Sequence, residues 1–365
     1  MYNHSLLVIN PGSTSTKVAL FVGTTGSKQE NLSHSASELA QFPTISEQYQ
    51  FRLQAVQEFL KANLPQLGTN ARLDAVVGRG GLLKPLRGGT YIVSDHMLSD
   101  LKRGVQGQHA SNLGGLLARG IAEQYNIPSF VVDPVAVDEF DDVARISGHP
   151  AITRRSLGHA LNIKAVARRV SQDMGVRFEA TKLIMVHLGG GISVVPLRDG
   201  KIVDVNNANE MGPFSPERTG SLPCGDLVSL CFSGEYTERE VLKLISGQGG
   251  MVAYLGTNDA REAYRRADEG DTKAKTIMQA MAFQIAKEIG AMATVLMGVV
   301  DAIVLTGGLA NSERLTQAVT DYVKFIAPVK VYPGEDEMLA LAEGACRVLS
   351  QEEKPQIYKQ EGLKC

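Results

Sequence analysis

Residues 6–21 read LLVINPGSTSTKVALF: an apolar run, a turn of small and hydroxylated residues, a lysine, and a second apolar run. Apolar residues alternate after the lysine, which predicts a second strand and therefore a β-hairpin. Gly12 permits a close backbone approach, while Ser13, Ser15 and Lys17 can donate hydrogen bonds to an anion. The spacing excludes a Walker A loop, because that loop continues into a helix. The stretch predicts a phosphate-binding hairpin, with an ordinary polar turn as the alternative.

Two later stretches repeat the plan of a strand that ends in glycines. Residues 183–197 read LIMVHLGGGISVVPL, and residues 302–311 read AIVLTGGLAN. Three such turns can converge on one nucleotide if two similar α/β halves face each other across a cleft. Together they favour a nucleotide-binding α/β protein over a chain with one polar hairpin.

Composition and charge narrow the class of protein. The chain has 365 residues, of which 44% are hydrophobic and 21% charged, as expected for a globular protein of two domains. A net charge of −2 and the lack of basic blocks argue against nucleic-acid binding. No signal peptide is evident, and no run approaches the roughly 18 apolar residues of a membrane span, so we expect a cytoplasmic protein without membrane contact. The cysteines show no CxxC pair and are expected to be buried or terminal thiols: Cys224, Cys231, Cys346 and Cys365.

The apolar pattern predicts alternating helices and strands. Helical spacing covers residues 48–63, 109–125, 158–174, 272–300 and 334–349, and short buried strands cover residues 73–77 and 129–132. Residues 138–160 are polar and rich in turn formers, so they are the first candidate crossing between domains. Residues 211–226 hold too many prolines and glycines for a regular element, and long loops of this kind tend to carry function.

Phosphoryl transfer requires phosphate donors and cationic clamps, and the chain offers both. His187 lies at the end of a strand, next to three glycines whose amides can bind phosphate: Gly189, Gly190 and Gly191. Arg79 lies among glycines just past a buried strand, and Arg218 lies on the long loop. Either guanidinium could hold a carboxylate or a phosphate in a bidentate pair. The alternatives are a core histidine and surface ion pairs.

Two carboxylates are candidates to organise a magnesium ion. Asp133 stands at the end of a strand, and Glu337 stands at the start of a helix. Mg²⁺ prefers one or two carboxylates together with phosphate oxygens and waters, so two candidate carboxylates are enough for a magnesium site. The sequence offers neither a His/Cys cluster for zinc nor the G-x-S-x-G elbow of a serine hydrolase.

The motifs taken together resemble a known family. The three glycine turns resemble the phosphate-1, phosphate-2 and adenosine motifs of the superfamily of acetate kinases, sugar kinases, Hsp70 and actin. NPGSTSTK and MVHLGGGIS are similar to the signatures of the acetate and butyrate kinase family. GRGGLLKP, HASNLGG, FSPERTGSLPCGDL, LTGGLANS and EDEMLALAEG look most like its butyrate kinase branch. One departure is HLGGG in place of the usual HLGNG of acetate kinases, so that Gly190 leaves phosphate contacts there to backbone amides.

The resemblance implies a fold of two actin-like (ribonuclease H-like) α/β domains around an interdomain nucleotide cleft. The expected N-terminal domain comprises residues 1–148 and 340–365 and carries the phosphate-1 hairpin and the acyl-substrate site. The expected C-terminal domain comprises residues 149–339 and carries the phosphate-2 hairpin and the adenosine motif. Closure over ATP, to exclude water, is expected as well.

The activity implied by the resemblance is the reversible conversion of butyrate and ATP to butyryl phosphate and ADP by direct in-line transfer. Carried over by position, Asn10 and Glu337 would organise Mg²⁺, and Arg79 and Arg218 would hold the acyl carboxylate and the moving phosphoryl group. His187 would stabilise the transition state. The remaining matches are the catalytic Asp133, a second active-site histidine at His109, and a phosphate and nucleotide set of Asn10, Ser13, Ser15, Lys17, Gly189, Gly190, Gly191, Asp259, Arg261, Gly307, Gly308 and Asn311.

The mechanism expected from this match needs no general base, since a carboxylate is already ionised at neutral pH. Asp133 is therefore expected to align a metal-bound water or an arginine and not to remove a proton.

Several alternatives stay open at this point. A kinase for acetate, propionate or isobutyrate would differ only in pocket volume, which is worth ~1–3 kcal/mol of discrimination. A non-catalytic ATP-binding regulator is disfavoured because a pure binder needs no substrate clamp. A sugar kinase is disfavoured because the arginine-rich site suits an anion. The resemblance also implies a homo-oligomer.

Overall fold

The computed structural model describes residues 2–67 and 72–359, and the chain divides into two compact units. Unit 1 comprises Met1–Asp138 and Asp336–Cys365, and unit 2 comprises Glu139–Glu335. These boundaries differ from the expected ones at 148/149 and 339/340. The amide of Asp141 donates to the carbonyl of Val203 at 3.0 Å, which ties this part of the crossing to unit 2. Glu337 belongs to unit 1 because Asn10 donates to it.

Unit 1 is built on a mixed sheet with helices packed on it. The order of the strands in the described sheet is β12-β5-β6-β4-β1-β2-β3. Its strands are β1 (Ser5–Pro11), β2 (Ser15–Val22), β3 (Thr25–Ser33), β4 (Ala75–Arg79), β5 (Thr90–Ile92), β6 (Ser129–Val132) and β12 (Gln356–Ile357). Its helices are α1 (Ala36–Leu39), α2 (Tyr49–Asn63), α3 (Asp95–Arg103), α4 (Asn112–Tyr125) and α12 (Glu337–Leu349).

The buried centre of this sheet positions the candidate residues of unit 1. Strand β1 pairs antiparallel with β2 and parallel with β4, and β4 pairs parallel with β6. Helices α4 and α12 both pack on these three parallel strands. A Cβ atom built on Gly78 would overlap the carbonyl of Gly114, so these two glycines let α4 lie directly on β4. The carboxyl ends of β1, β4 and β6 therefore meet at one edge of the sheet, where α/β proteins commonly bind ligands.

Unit 2 has a second mixed sheet. The described strands are ordered β11-β10-β7-β8-β9. They are β7 (Lys182–Leu188), β8 (Ile192–Arg198), β9 (Lys201–Ile202), β10 (Ala302–Gly307) and β11 (Val329–Pro333). The helices of unit 2 are α5 (Ala160–Asp173), α6 (Cys224–Cys231), α7 (Glu238–Ile245), α8 (Gly250–Leu255), α9 (Ala260–Asp268), α10 (Thr272–Val295) and α11 (Glu313–Val323). None of the described helices combines the length and the apolar character that a transmembrane helix requires.

Both sheets share one local plan. In unit 1 the β1–β2 hairpin is extended by the parallel strands β4 and β6, and in unit 2 the β7–β8 hairpin is extended by the parallel strands β10 and β11. The prediction that a strand follows each glycine turn is confirmed at both places. The α/β class that the sequence predicts is also confirmed.

Three local expectations are corrected by the structure. The loop predicted over residues 211–226 ends where α6 begins at Cys224. The helix predicted over residues 272–300 ends at Val295, because Met297 and Gly298 take positive φ angles of 54° and 73°. Cys346 is buried as expected, but Cys224 and Cys231 are exposed on α6, and Cys365 lies outside the described residues.

Candidate active site

The turn between β1 and β2 presents free hydrogen-bond donors. It is closed by the amide of Gly12, which donates to the carbonyl of Ser15 at 2.8 Å. Ser13 and Thr14 are exposed at its tip, and their amide N–H groups have no acceptor among residues 2–67 and 72–359. Two free amides beside serine hydroxyls are the kind of donors that bind anions in proteins. The geometry of the turn thus matches the chemistry that was predicted for it.

Three of the predicted residues meet at the carboxyl edge of the sheet in unit 1. The side-chain amide of Asn10 donates to Oε2 of Glu337 at 2.7 Å, and Arg79 forms an ion pair with Oε1 of the same carboxylate. Asn10 lies directly opposite Lys17 in the hairpin, and opposite residues of an antiparallel pair share a face of the sheet. Two cations and one carboxylate are therefore arranged beside the turn between β1 and β2.

The donor set at this edge suits a magnesium ion. Asn10 and Glu337 offer an amide oxygen and carboxylate oxygens, which are the hard ligands that Mg²⁺ prefers. The described residues contain no group of three or more His, Cys, Asp or Glu side chains that could hold a metal ion by themselves. Such a sparse set fits an ion that takes its remaining ligands from phosphate oxygens and water.

His109 lies close enough to Arg79 for the arginine charge to act on it. Its hydrogen bonds indicate a neutral ring that can donate. Its Nδ1 accepts the amide N–H of Ser111 at 3.2 Å and lies 2.7 Å from the hydroxyl of the same residue. Because a backbone amide can only donate, Nδ1 carries the lone pair and the proton resides on Nε2. Burial, and then the charge of Arg79, lower the pKa of His109, which keeps the ring neutral.

Asp133 directly follows β6 in a strained backbone conformation. It is buried, and its φ angle is +38°, which is rare for a residue with a side chain. Its amide donates to the carbonyl of Gly89 at 3.0 Å, and its Oδ1 accepts the amide of Gly89 at 2.7 Å. Val132 pairs with Arg79 across the parallel strands, so Asp133 lies one residue beyond the strand neighbour of that arginine. The catalytic assignment of Asp133 stays a prediction.

In unit 2, His187 is the penultimate residue of β7, and its ring lies between two acceptor oxygens. Its Nδ1 lies 2.9 Å from Oδ1 of Asn162, and its Nε2 lies 3.1 Å from Oε1 of Glu335. The ring of His159 stacks on it with a centroid distance of 3.8 Å. These contacts fix the orientation of the imidazole beside the glycine turn.

Three of these partners were missed by the sequence reasoning. His159 and Asn162 lie at the end of a polar stretch and at the start of α5, where no local pattern marks them as functional. Glu335 is the first of three successive acids, of which only Glu337 was singled out. A hydrogen bond from His187, supported by the charges of both histidines and by the amide of Gly308, lowers the pKa of Glu335 to about 2. Glu335 is thus an anion in contact with the predicted catalytic histidine.

The glycine turn after β7 lets Arg218 approach the backbone. A Cβ atom on Gly191 would overlap Nη1 of Arg218, which also donates to the carbonyl of Ala208 at 3.1 Å. The guanidinium is half-buried, and burial lowers its pKa although the charge of Glu217 opposes this. A Cβ atom on Gly190 would make only an ordinary contact, at 3.6 Å from Glu217. Gly191 is therefore required by the approach of a cation, and Gly190 is not.

Six of the predicted residues of unit 2 line a cavity of about 760 Å³. Its lining includes Gly189, Gly190, Asp259, Arg261, Gly308 and Asn311, together with Tyr264 and Glu335. Asp259 caps α9 and pairs with Arg261 at 2.7 Å, and this hydrogen-bonded partner lowers the pKa of Asp259 to about 2. Gly307 takes a φ angle of +91° against the carbonyl of Leu188 at the end of β10. The volume lies within the range of roughly 300–1,000 Å³ that small-molecule sites occupy.

Comparisons with known sequences agree with the predicted resemblance. The Acetokinase family model matches residues 150–355. The chain is 54% identical over 358 residues to butyrate kinase 1 of Clostridium acetobutylicum, covering 98% of this chain and 100% of that protein. It is 53% identical over 353 residues to probable butyrate kinase 2 of Caldanaerobacter subterraneus, covering 97% and 99% of the two chains.

Comparison with solved structures concerns the fold alone. The crystal structure of Porphyromonas gingivalis acetate kinase superposes with a TM-score of 0.77 at 19% identity, covering 94% of this chain and 99% of that chain. This likeness confirms the actin-like α/β fold that the sequence motifs predict.

Proposed function

Because the chain belongs to the acetokinase family, we propose that it is an ATP-dependent carboxylate kinase that converts butyrate and ATP reversibly to butyryl phosphate and ADP. The choice of butyrate is supported by more than 50% identity to butyrate kinases over nearly the whole chain. The observation that carries the proposal is the guanidinium of Arg218 packed against Gly191, beside the cavity of unit 2. Transfer of a phosphoryl group develops negative charge on its oxygens, and a cation at the turn that binds phosphate would stabilise that charge.

The reaction proceeds by direct attack of one anion on another. One carboxylate oxygen of the acid forms a bond to the γ-phosphorus of ATP, and the bond from that phosphorus to the β–γ bridging oxygen breaks. Acyl phosphate and ADP result without a proton transfer, because the acid is already ionised at neutral pH. The protein therefore has to position the two anions and offset their repulsion.

Each charged group has an assigned part in this step. Arg79 holds the acyl carboxylate, and Arg218 and His187 stabilise the charge on the transferring phosphoryl group. Asn10 and Glu337 would hold Mg²⁺, which supplies neutralisation of phosphate charge when it is bound. The amides of the turns after β1 and β7 bind phosphate oxygens.

Other residues bind the nucleotide or support these cations. Lys17 and the hydroxyls of Ser13 and Ser15 add donors at the first turn. His109 donates from Nε2 to the acyl group, and Asp133 aligns an arginine or a metal-bound water. The nucleotide occupies the cavity of unit 2 against a set comprising Asp259, Arg261, Gly307, Gly308 and Asn311.

Two properties of the whole protein complete the proposal. We expect it to act in the cytoplasm, where ATP is available, and to form a homo-oligomer, as the family resemblance implies. Size-exclusion chromatography with light scattering measures the second property directly, and a monomer at micromolar concentration would contradict it.

The test is to trap acyl phosphate with hydroxylamine while the purified protein receives Mg·ATP and a series of acids from acetate to valerate, including isobutyrate. The highest kcat/KM should fall on butyrate. A maximum at acetate, propionate or isobutyrate would keep the mechanism and replace the substrate. ATP binding without product from any acid would instead favour a regulator.

A matched pair of arginine variants shows whether the product depends on the proposed clamp. Arg218→Met should lower kcat by at least about a hundredfold, as the loss of one preorganised donor typically does. Arg198→Met removes an arginine that pairs with Asp141 at 2.8 Å instead, and it should keep the activity. Equal activity in the two variants would contradict the role of Arg218.

A further inference from the structure

A buried arginine lies directly beneath the first phosphate-binding turn. Arg52 projects from α2 and is completely buried. Its guanidinium donates to three backbone carbonyls of the turn: Gly12 at 2.9 Å, Ser15 at 3.0 Å and Ser13 at 3.1 Å. One side chain thus fixes two of the three carbonyls between β1 and β2, together with the first carbonyl of β2.

This arrangement determines which backbone groups face outward. In a peptide unit the carbonyl and the N–H point in opposite directions. Carbonyls that are held inward by Arg52 leave the amides of the turn directed away from it. The amides of Ser13 and Thr14, which have no acceptor in the described part of the chain, are the groups that this orientation exposes.

Among the described residues, only neutral groups contact the guanidinium of Arg52. Its other partners are Oε1 of Gln48, at 2.9 Å from Nη2 and 3.1 Å from Nε, and the hydroxyl of Thr16 at 3.1 Å. All five acceptors are neutral, and within residues 2–67 and 72–359 no carboxylate pairs with this guanidinium. Burial lowers the pKa of Arg52 to about 10, so the group remains charged at neutral pH.

An unpaired charge at such depth is costly to maintain unless it serves an anion. The exposed tip of the same turn is where the phosphates are expected to bind. A buried cation close behind that tip is screened little by salt and acts through a medium of low dielectric constant. The turn therefore offers both oriented amides and a fixed positive potential.

We propose that Arg52 is a positioning residue of the phosphate-binding turn, and that its unneutralised charge strengthens the binding of ATP there, an inference that rests on the function proposed above. Arg52 does not touch the phosphates. It acts through the backbone of residues 12–15 and through its electrostatic field.

The sharpest test is Gln48→Glu. This substitution nearly preserves the shape and the hydrogen bonds to Arg52, but it places a carboxylate on the guanidinium and cancels the charge. The dissociation constant for Mg·ATP, measured by titration calorimetry, should rise about five- to tenfold, and KM for ATP should follow. KM for butyrate should stay within about twofold and the melting temperature should not fall, because a new ion pair forms.

Three further variants complete the test. Gln50→Glu adds the same charge at an exposed position of α2 and should change neither constant by more than about twofold. Arg52→Met should weaken ATP binding more than Gln48→Glu does, and Arg52→Lys should restore part of the loss. The Arg52 variants are expected to be less stable. If they do not fold, Gln48→Glu alone tests whether the charge of Arg52 strengthens ATP binding.

The outcomes separate this inference from the proposed function. A folded Gln48→Glu protein with unchanged ATP affinity, or one in which ATP and butyrate constants rise together as the melting temperature falls, would overturn the role of Arg52. If the wild-type protein binds ATP but phosphorylates no acid, the proposed function fails, while weaker ATP binding by Gln48→Glu would still support the role of Arg52.

Discussion

Two acidic residues contact side chains that the proposal assigns to the reacting anions. Glu335 contacts His187, and Glu337 contacts Arg79 and Asn10. Each carboxylate orients its partners, and Glu337 also balances the charge of Arg79, so these side chains are preorganised. Arg218 and Arg52 differ from Arg79, because neither forms an ion pair with a carboxylate in the described part of the chain.

The ion pair of Glu335 predicts a pH dependence of stability. Its folded-state pKa of about 2 lies below the ordinary value of 4.5, so the pair stabilises the folded chain above pH 4.5, and this contribution is lost as the pH falls toward 2. Between these values the free energy of unfolding should fall more steeply for the wild type than for Glu335→Gln. Urea unfolding at a series of pH values measures both slopes.

Glu58→Gln is the control for this measurement, since Glu58 is exposed on α2 and, within the described part of the chain, accepts a hydrogen bond only from Gln54. Its slope should match that of the wild type. Equal slopes for the wild type and Glu335→Gln would mean that the contact with His187 contributes nothing to folding.

Gly191→Ala tests the close approach of Arg218. The added Cβ would overlap the guanidinium, which must then move from its place beside the turn. A displacement of about 1 Å at a reacting group can cost about a hundredfold in rate, so kcat should fall by at least about tenfold. Steady-state kinetics of acyl phosphate formation provides the measurement, and near-normal kcat would show that Arg218 need not lie against Gly191.

At the scale of the elements, two glycines of α10 and its C-terminal end show how backbone conformation ends a helix. Gly290 lies inside α10, and a Cβ there would meet nothing within 4 Å. Gly298 also has open space, but its φ angle is +73°, beyond the end of the same helix. The two glycines thus differ in conformation and not in packing.

Alanine at these two positions should therefore act in opposite directions. Gly290→Ala should raise the free energy of unfolding by about 0.5–1 kcal/mol, because alanine loses less backbone entropy in a helix. Gly298→Ala should lower it by about 1 kcal/mol, because the left-handed conformation strains a residue with a Cβ. Denaturant unfolding compares both variants, and a stabilised Gly298→Ala would refute the conformational explanation. Gly290→Ala should also retain full activity, which makes it the control for Gly191→Ala.

For the whole molecule, ligand binding should raise the free energy of unfolding. A ligand that binds only the folded chain stabilises it by about 2.7 kcal/mol at a concentration of 100 Kd. Mg·ATP should accordingly raise the melting temperature, and excess EDTA should remove part of that rise. In Glu337→Gln the difference between Mg²⁺ and EDTA should shrink, since one proposed metal ligand is lost.

Glu58→Gln again provides the matched control, because it removes an exposed carboxylate of unit 1 and should keep the full difference. A Glu337→Gln protein that responds to Mg²⁺ as strongly as the wild type would contradict the placement of the metal at Glu337.

The sequence alone indicated the two glycine hairpins, the strands before them, the α/β class and the family. These features depend on residues that are near one another in the chain: apolar periodicity, glycines in turns, and short motifs. The boundaries of the elements were less certain, as the early start of α6 and the early end of α10 illustrate. Helix ends depend on positive φ angles and on tertiary packing, which periodicity does not contain.

Only the tertiary structure decided which polar groups meet. Asn10 and Glu337 are 327 positions apart, and Arg52 reaches a turn about 40 residues before it. His159 stacks on His187, and Glu335 contacts the same ring, without any local signal in the chain. Such partners are selected by the order and register of strands from distant parts of the sequence, and by the need of buried polar groups for a hydrogen bond. Local chemistry therefore identified the donors and cations, and the packing of the sheets determined their partners.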